Sequence, residues 1–207
     1  MKGKFITFEG PEGVGKSKQL KLFCKFLEEQ KINYFLTREP GGTEISEKIR
    51  NIILDKNNSE MADECEALLY ASARAQLLKQ VIAPKLEKGE LVISDRYVDS
   101  SLAYQGYARG LGLDFIESIN SYAMKNFMPD YTVFLSLPPK EAFSRKGGAD
   151  AGDRLEQSGI EFHEKVYEGY LKIAEKYKDR FLVIDASGKI EETQAKIIKA
   201  LKKVGVI

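Results

Sequence analysis

One stretch near the start of the chain, from Phe5 to Ser17, constrains the fold more than any other. It reads FITFEGPEGVGKS, so an apolar run leads directly into the pattern G-x-x-x-x-G-K-[ST]. Apolar residues then recur at helical spacing from Leu20 to Leu27, which puts the motif between a predicted strand and a predicted helix. A glycine-rich loop in that setting is typical of a phosphate-binding P-loop.

The residues of this P-loop have distinct predicted roles toward a nucleoside triphosphate. Its glycines allow positive φ angles and bring backbone N–H groups close to phosphate oxygens at the positive end of a helix. Lys16 is expected to reach the β and γ phosphates, and Ser17 to offer its hydroxyl to Mg²⁺, which prefers oxygen ligands. The predicted ATP-binding residues are Gly10, Pro11, Glu12, Gly13, Val14, Gly15, Lys16 and Ser17.

Composition indicates one domain with no general attraction to nucleic acid. The 207 residues, 43% of them hydrophobic, suffice for a single well-buried core, so we expect one domain spanning 1–207. The 32 basic residues nearly balance the 31 acidic ones, so nucleic acid is not expected as a partner. Two cysteines and no long apolar run predict a cytoplasmic protein without membrane contact.

Apolar runs after the P-loop alternate with helical patterns. Besides the strand that begins at Phe5, strands are predicted at 33–37, 91–93, 132–137 and 181–185, and a long helix at 63–80. Thr43 is predicted to cap a further helix, after the second strand, with apolar residues at Ile45, Ile49, Ile52 and Ile53. This alternation predicts an α/β protein, a three-layer α/β/α P-loop NTPase fold with a five-stranded parallel sheet. Ligands of such sheets bind at the carboxyl ends of the strands.

A glycine-rich segment at about 144–155 separates predicted helices that begin near Lys140 and Glu161. It contains Arg145 and Arg154 among small residues. We expect this segment to be a short lid that faces the P-loop. The alternative is a solvated loop whose charges have no role, because loop charges usually face water.

Features beyond the P-loop favour a small kinase over other nucleotide-binding proteins. No guanine-reading Asn-Lys-x-Asp follows the later strands, which argues against a GTPase. A chain near 200 residues with a basic lid suits a kinase better than a transport ATPase, and the remaining arginines suggest an anionic acceptor. Two rivals stay open: a related kinase for another nucleotide or nucleoside, and a regulatory switch that hydrolyses ATP slowly.

Five segments, in this order, resemble those of the thymidylate kinase family. They are FEGPEGVGKS from Phe8, TREPGGT from Thr37, DRY from Asp95, SSLAYQG from Ser100 and DRLE from Asp153, and the match runs nearly end to end. The resemblance implies an enzyme that uses Mg²⁺ and transfers the γ-phosphoryl group of ATP to dTMP, giving dTDP and ADP in dTTP biosynthesis. It also implies a homodimer, and helices flanking the second and third strands have surplus apolar faces.

Residues that bind the acceptor are predicted at the end of the second strand and on the helix at 63–80. Arg38 ends that strand with a planar guanidinium suited to a phosphate dianion, and the resemblance implies that it binds the acceptor monophosphate. Tyr70 and Arg74 are one helical turn apart, so both can meet one base. The resemblance implies that Tyr70 stacks on thymine and that Arg74 donates to a ring carbonyl. It also brings Ser101 and Tyr104 to the base and sugar, and Gln105, which follows on the same segment, is predicted to bind the substrate as well.

Asp95 and Arg96 follow the third strand and are expected to face the P-loop. Asp95 would hold Mg²⁺ through water, and Arg96 would bridge the phosphates of donor and acceptor. The resemblance implies that Glu12 touches the 3′-hydroxyl of the acceptor. The Glu39–Pro40 bond is of a kind that can be cis in tight functional turns.

Thymidylate kinases take a transition-state arginine from either the P-loop or the lid. Gly13 stands at the P-loop position where one group of the family has arginine. We therefore expect the lid to supply it, from Arg154 first and Arg145 second, so the predicted catalytic residues are Lys16, Arg96, Arg154 and Arg145. Asp153 and Glu156 are expected to join the closed-lid contacts.

Overall fold

Five strands form a central sheet in the computed structural model, which describes residues 3–146 and 159–207. The strands are β1 (Phe5–Glu9), β2 (Tyr34–Arg38), β3 (Leu91–Asp95), β4 (Tyr131–Ser136) and β5 (Phe181–Asp185). Their order is β2-β3-β1-β4-β5, and every neighbouring pair is parallel. The predicted five-stranded parallel sheet is confirmed.

Helices cover both faces of this sheet. In chain order they are α1 (Lys16–Glu29), α2 (Glu44–Leu54), α3 (Asp63–Leu77), the π-helix π1 (Leu78–Ile82), α4 (Ala83–Glu87), α5 (Val98–Ser101), the π-helix π2 (Leu102–Ala108), α6 (Leu113–Ile119), α7 (Ser121–Asn126), α8 (Pro139–Lys146), α9 (Gly159–Lys176) and α10 (Ile190–Lys203). Successive strand residues point to opposite faces, so Ile6 packs in one core with Phe23 of α1, and Phe5 in another with Leu77 of α3. The predicted three-layer fold is confirmed. Within residues 3–146 and 159–207, no helix is both long and apolar enough to cross a bilayer.

The long helix predicted at 63–80 is interrupted. α3 ends at Leu77, and π1 follows with the Ala83 N–H bonded to the Leu78 carbonyl five residues earlier. Pro84 explains the change, because proline has no N–H for the carbonyl four residues before it and its ring crowds that carbonyl. The wider π turn accommodates the proline while the chain continues as a helix.

The helix predicted after the second strand is present as α2, and its predicted cap is confirmed. The Thr43 hydroxyl accepts a hydrogen bond from the Ser46 N–H at 3.1 Å. The expected apolar face is only partly covered, because Ile53 is fully buried while Ile45 and Ile52 are each about half exposed. α2 therefore presents apolar surface to solvent.

The strand register brings the predicted site together. Asp95 at the end of β3 is the direct neighbour of Phe8 on β1 and of Arg38 on β2. The loops that leave these three strands therefore start side by side. The predicted lid falls largely on 147–158, so Asp153, Arg154 and Glu156 lie outside the described residues.

Candidate active site

The loop between β1 and α1 has the backbone that the P-loop motif predicts. Gly13 and Gly15 have φ angles of 76° and 87°, in the left-handed region that favours glycine. A Cβ on Gly10 would lie 2.9 Å from the Leu135 carbonyl oxygen. Gly15 is the N-cap of α1 and has no side chain to cap it, so the first-turn N–H groups stay available to an anion.

Lys16, the first residue of α1, forms an ion pair with Asp95 at the end of β3. Both side chains are largely covered, with exposed fractions of 10% and 24%. Burial lowers the pKa of Lys16 and nearby Arg96 adds to this effect, while Asp95 opposes it. The predicted phosphate-binding lysine and the predicted metal ligand Asp95 thus lie in direct contact.

Arg96, just after β3, contacts the P-loop through its side chain. Its guanidinium forms an ion pair with Glu12 and donates to the Gly10 carbonyl at 3.3 Å. It also lies 5.1 Å from the centre of the Tyr104 ring. The backbone of Arg96 has a φ angle of 68°, which non-glycine residues rarely adopt and which is common where a side chain is aimed into a site.

A cavity of about 190 Å³ opens beside the P-loop, at the carboxyl ends of β2 and β3. It brings together the predicted residues Glu12, Lys16, Arg38, Tyr70, Asp95, Arg96, Ser101, Tyr104 and Gln105. Tyr104 and Gln105 reach it from π2, a type of helix often found at functional sites. Residues from five separate parts of the chain therefore line one cavity.

Arg74 lies behind the wall of this cavity and is 2% exposed. Its Nε donates to Glu39 Oε2 at 2.7 Å, and its terminal nitrogens donate to Asn120 Oδ1 at 2.5 Å and to Ser101 Oγ at 3.1 Å. Its guanidinium also lies 5.4 Å from the Tyr97 ring. The predicted base-reading arginine is thus held rigidly, next to Ser101, which does line the cavity.

Glu39 lines the site but was not predicted from the sequence as a site residue. Its side chain is 3% exposed and lines the cavity, with one carboxylate oxygen on Arg74. Burial raises its pKa to about 7, although Arg74 opposes the rise. The following peptide bond, Glu39–Pro40, is cis, as the sequence allowed.

Glu9, near Arg96, is a second residue of the site that was not predicted from the sequence. Its carboxylate is fully buried and accepts hydrogen bonds from the Tyr97 N–H at 2.7 Å, the Ser100 hydroxyl at 2.6 Å and the Tyr170 hydroxyl at 2.8 Å. Burial raises the pKa of Glu9 to about 7, and the nearby carboxylate of Asp99 adds to the rise. A signal was present in the sequence, because Glu9 is a charged residue at the end of a largely apolar predicted strand.

Arg38 stands at the outer edge of the cavity, where water reaches its side chain. That side chain is 45% exposed, and it donates to the Pro40 carbonyl at 2.8 Å and to Glu47 Oε2 at 2.9 Å. Burial alone would raise the pKa of Glu47, but hydrogen bonds from the Gly42 N–H and from Arg38 lower it. Arg38 is thus oriented by a carboxylate without being buried.

Arg145 lies apart from the predicted catalytic residues Lys16 and Arg96, which both line the cavity. It lies near the end of α8 and donates to the backbone carbonyls of Ala186, at 2.8 Å, and Ser187, just after β5. It is not among the residues that line the cavity in the described part of the chain. Arg154 lies outside the described residues.

His163 is a packing residue. It is buried on α9, with its ring 5.1 Å from that of Phe143 and 5.7 Å from that of Phe162, both edge to face. The only histidine of the chain therefore lies in an aromatic cluster.

Comparison with known proteins gives one consistent result. The family model described as thymidylate kinase matches residues 8–197. A thymidylate kinase from Thermoanaerobacter sp. (strain X514) is 46% identical over 203 residues, covering 98% of this chain and 99% of the relative. Those from Lactobacillus acidophilus and Bacillus velezensis are 48% and 47% identical, and each covers at least 95% of both chains. With its P-loop and adjoining cavity, the chain belongs to the thymidylate kinase family.

Proposed function

We propose that this chain transfers the γ-phosphoryl group of ATP to dTMP, giving dTDP and ADP, with the acceptor in the cavity beside the P-loop. Thymidylate kinase is the activity for which its relatives are named. The observation that carries the proposal is the contact between Glu12 of the P-loop and Arg96 of the cavity. Donor and acceptor phosphates would meet at that contact.

On the donor side, the loop from Gly10 to Ser17 would hold the phosphates of ATP. The first-turn N–H groups of α1 and the Lys16 ammonium supply positive charge. Lys16 must exchange part of its contact with Asp95 for phosphate oxygens when ATP binds. Catalysis of this kind consists mostly of positioning and charge neutralisation, and the acceptor phosphate is already ionised near neutral pH.

On the acceptor side, the charged groups are divided between phosphate and base. Arg38 and Arg96 would bind the monophosphate, and Glu12 the 3′-hydroxyl. Tyr70 would stack on the base while Arg74 donates to a ring carbonyl. A guanidinium has five N–H groups, and the hydrogen bonds to Glu39, Asn120 and Ser101 use three, so Arg74 would donate to the base through the other two.

The oxygen atoms on the ATP side of the site are suitable ligands for Mg²⁺. Ser17 has a hydroxyl in the first turn of α1, and Asp95 a carboxylate beside Lys16. Among the residues that the structure describes, no cluster of three or more His, Cys, Asp or Glu side chains could hold a metal alone. We infer that Ser17 and Asp95 hold the ion together with ATP and water. Bound there, it would neutralise phosphate charge.

A homodimer is our proposal for the assembled enzyme. α2 and α3 pack against each other and expose Ile45, Ile52 and Leu68, each about half uncovered. Large apolar side chains grouped on neighbouring helices are typical of an interface. We also expect the enzyme to work in the cytoplasm, because the cysteines Cys24 and Cys65 are both free.

An acceptor panel tests the proposed reaction. Purified protein, ATP and Mg²⁺ are combined in turn with dTMP, dUMP, dCMP, dGMP, AMP or thymidine, and the phosphorylated product is measured. We expect dTMP to be the best acceptor and dUMP to follow within a factor of about 10–200, because one methyl group in an apolar pocket contributes only ~1–3 kcal/mol. A stronger preference for a purine monophosphate or for thymidine would overturn the proposal.

A further inference from the structure

We propose that Glu66, a buried carboxylate on α3, fixes the orientation of the Gln105 amide and thereby makes the cavity select thymine or uracil against cytosine. The inference rests on the proposed function, because it takes a pyrimidine monophosphate as the acceptor. It assigns Glu66 a positioning role, since this residue acts on the base through Gln105.

The hydrogen bond between Gln105 and Glu66 fixes the orientation of the Gln105 amide. Gln105 is 2% exposed and lines the cavity, and its Nε2 donates to Glu66 Oε1 at 2.8 Å. A carboxylate can only accept hydrogen bonds, so the amide nitrogen must face it. The flipped amide would set two acceptor oxygens against each other in a buried place, which is costly. The amide oxygen is therefore the atom that Gln105 offers as its acceptor to a ligand.

Glu66 is itself held in place. It is fully buried, and its second oxygen accepts from Arg109 Nη2 at 3.2 Å. Arg109 also pairs through Nε with Asp63 at 3.3 Å. These contacts join the first turn of α3 to the end of π2, the helix that contains Gln105. A buried carboxylate needs such a partner, and here the partner leaves one oxygen for Gln105.

The fixed amide matches one class of pyrimidine. Thymine and uracil present an N3–H donor beside the O4 acceptor, whereas cytosine presents an N3 acceptor beside an N4 amino donor. A Gln105 oxygen satisfies the N3–H of thymine but would face the lone pair of cytosine N3. Arg74 can only donate, so it suits O4 and opposes the cytosine amino group. Both groups therefore have a fixed polarity, and both reject cytosine.

The substitution Glu66→Gln tests this role. A glutamine side chain at this position can present either its oxygen or its nitrogen, so the Gln105 amide is no longer held in one orientation. We expect the ratio of kcat/KM for dTMP to that for dCMP to fall by at least about tenfold, since polar readout can discriminate by far more than that. The KM for ATP should not change, and the dTMP to dUMP ratio should not change because both bases have N3–H.

Asp63→Asn is the matched control. Asp63 is the other carboxylate on Arg109, and its side chain is 41% exposed. Its loss weakens the contacts of the same arginine but leaves the Glu66–Gln105 hydrogen bond in place. We expect the ratios of kcat/KM among dTMP, dUMP and dCMP to equal those of the wild type. If Asp63→Asn lost as much selectivity for dTMP over dCMP, then Arg109, and not the contact with the Gln105 amide, would determine which base is selected.

A double-mutant cycle separates positioning from general damage. If Glu66 acts through Gln105, the dTMP to dCMP ratio in Gln105→Ala should change by less than about twofold when Glu66→Gln is added. Additive losses, or equal losses for dTMP, dUMP and dCMP, would overturn the inference.

If Glu66→Gln does not fold, as judged by circular dichroism, Glu66→Asp replaces it. The shorter carboxylate can still pair with Arg109 but withdraws from the amide, and a ratio reduced by at least about threefold is expected. An unchanged ratio would overturn the inference. A wild-type enzyme that does not phosphorylate dTMP at all would instead overturn the proposed function.

Discussion

Arg74 is among the largest fully buried side chains in the part of the chain that the structure describes, and its guanidinium forms an ion pair with Glu39. Truncating one member of a buried pair leaves the other as an uncompensated charge. We therefore predict that Arg74→Ala lowers the free energy of unfolding by about 3–5 kcal/mol and also raises the KM for dTMP far more than the KM for ATP. Denaturant unfolding and steady-state kinetics measure the two effects.

The double variant Arg74→Ala/Glu39→Gln separates stability from binding. It removes the uncompensated carboxylate, so part of the lost stability should return. The KM for dTMP should stay high, because the proposed donor to the base is still absent. Recovery of the dTMP KM together with stability would contradict a direct role of Arg74 at the base.

Glu9 provides a prediction about pH. Its folded-state pKa of about 7 lies above the ordinary value of 4.5, so the folded protein binds this proton more tightly than the unfolded chain. The stability contributed by protonated Glu9 is complete below about pH 4.5 and is lost as the pH rises through about 7. The Glu9→Gln variant has no such proton to lose.

Unfolding of wild type and Glu9→Gln between pH 4.5 and 8 measures this contribution. Wild-type stability relative to the variant should decline across that range and then level off. Asp99, Arg96, Ser100 and Tyr170 surround the carboxylate in both proteins, so their effects largely cancel. A relative stability that is constant or rises with pH would show that Glu9 is already ionised in the folded protein near pH 5.

At the scale of elements, hydrophobic periodicity predicted which segments are strands and which are helices. It did not predict the geometry within the helices. All five strands and the helices after the P-loop and after Thr43 could be predicted, because burial on a parallel sheet produces continuous apolar runs. The π-helices π1 and π2 could not be predicted, since a single wide turn barely changes the spacing of apolar residues. π2 matters for the proposed acceptor site because Tyr104 and Gln105 are both on it and line the cavity.

The lid is the element in which the transition-state arginine is predicted to lie. Arg154→Ala should reduce kcat by at least about a hundredfold with little change in the KM for dTMP, because such a contact forms only in the transition state. Arg145→Ala is the companion variant. Its side chain is held by the carbonyls of Ala186 and Ser187, so a smaller loss is expected. An intact kcat in both variants would mean that the lid only covers the site.

α2 is the element that tests the proposed homodimer. Ile52 is 48% exposed on this helix, and a charge placed there should oppose burial against a second copy. We predict that Ile52→Glu sediments as a monomer in analytical ultracentrifugation. Val183→Glu is the control, because Val183 is also apolar and about half exposed but lies on β5 at the opposite edge of the sheet. Unchanged association of Ile52→Glu would contradict an interface through α2.

For the whole molecule, the strand order assembles the site. β1 and β3 are far apart in sequence yet adjacent in the sheet, which brings Lys16 to Asp95 and Glu12 to Arg96. The motifs predicted that these residues belong to one site, since they end strands of one parallel sheet. They did not predict the strand order, because sequence spacing contains no information on which strand lies next to which.

The supporting residues were the least predictable part of the site. Glu9 could have been noticed as a charged residue in an apolar strand. Glu66 and Asn120 gave no local signal, because a polar residue on a helix usually faces water. Their role arises only when α3, π2 and α7 pack around the cavity and leave Gln105 and Arg74 in need of partners.

The rate of ADP release with and without dTMP is the most direct measure of whether the cavity beside the P-loop receives the phosphoryl group. With ATP and Mg²⁺, we predict that ADP release depends on dTMP and equals dTDP formation. Lys16→Ala should abolish both without loss of fold, and Lys18→Ala, on α1 outside the P-loop, should abolish neither. ADP release at the same rate without dTMP would identify a hydrolase or switch and contradict the assignment of this cavity to an acceptor.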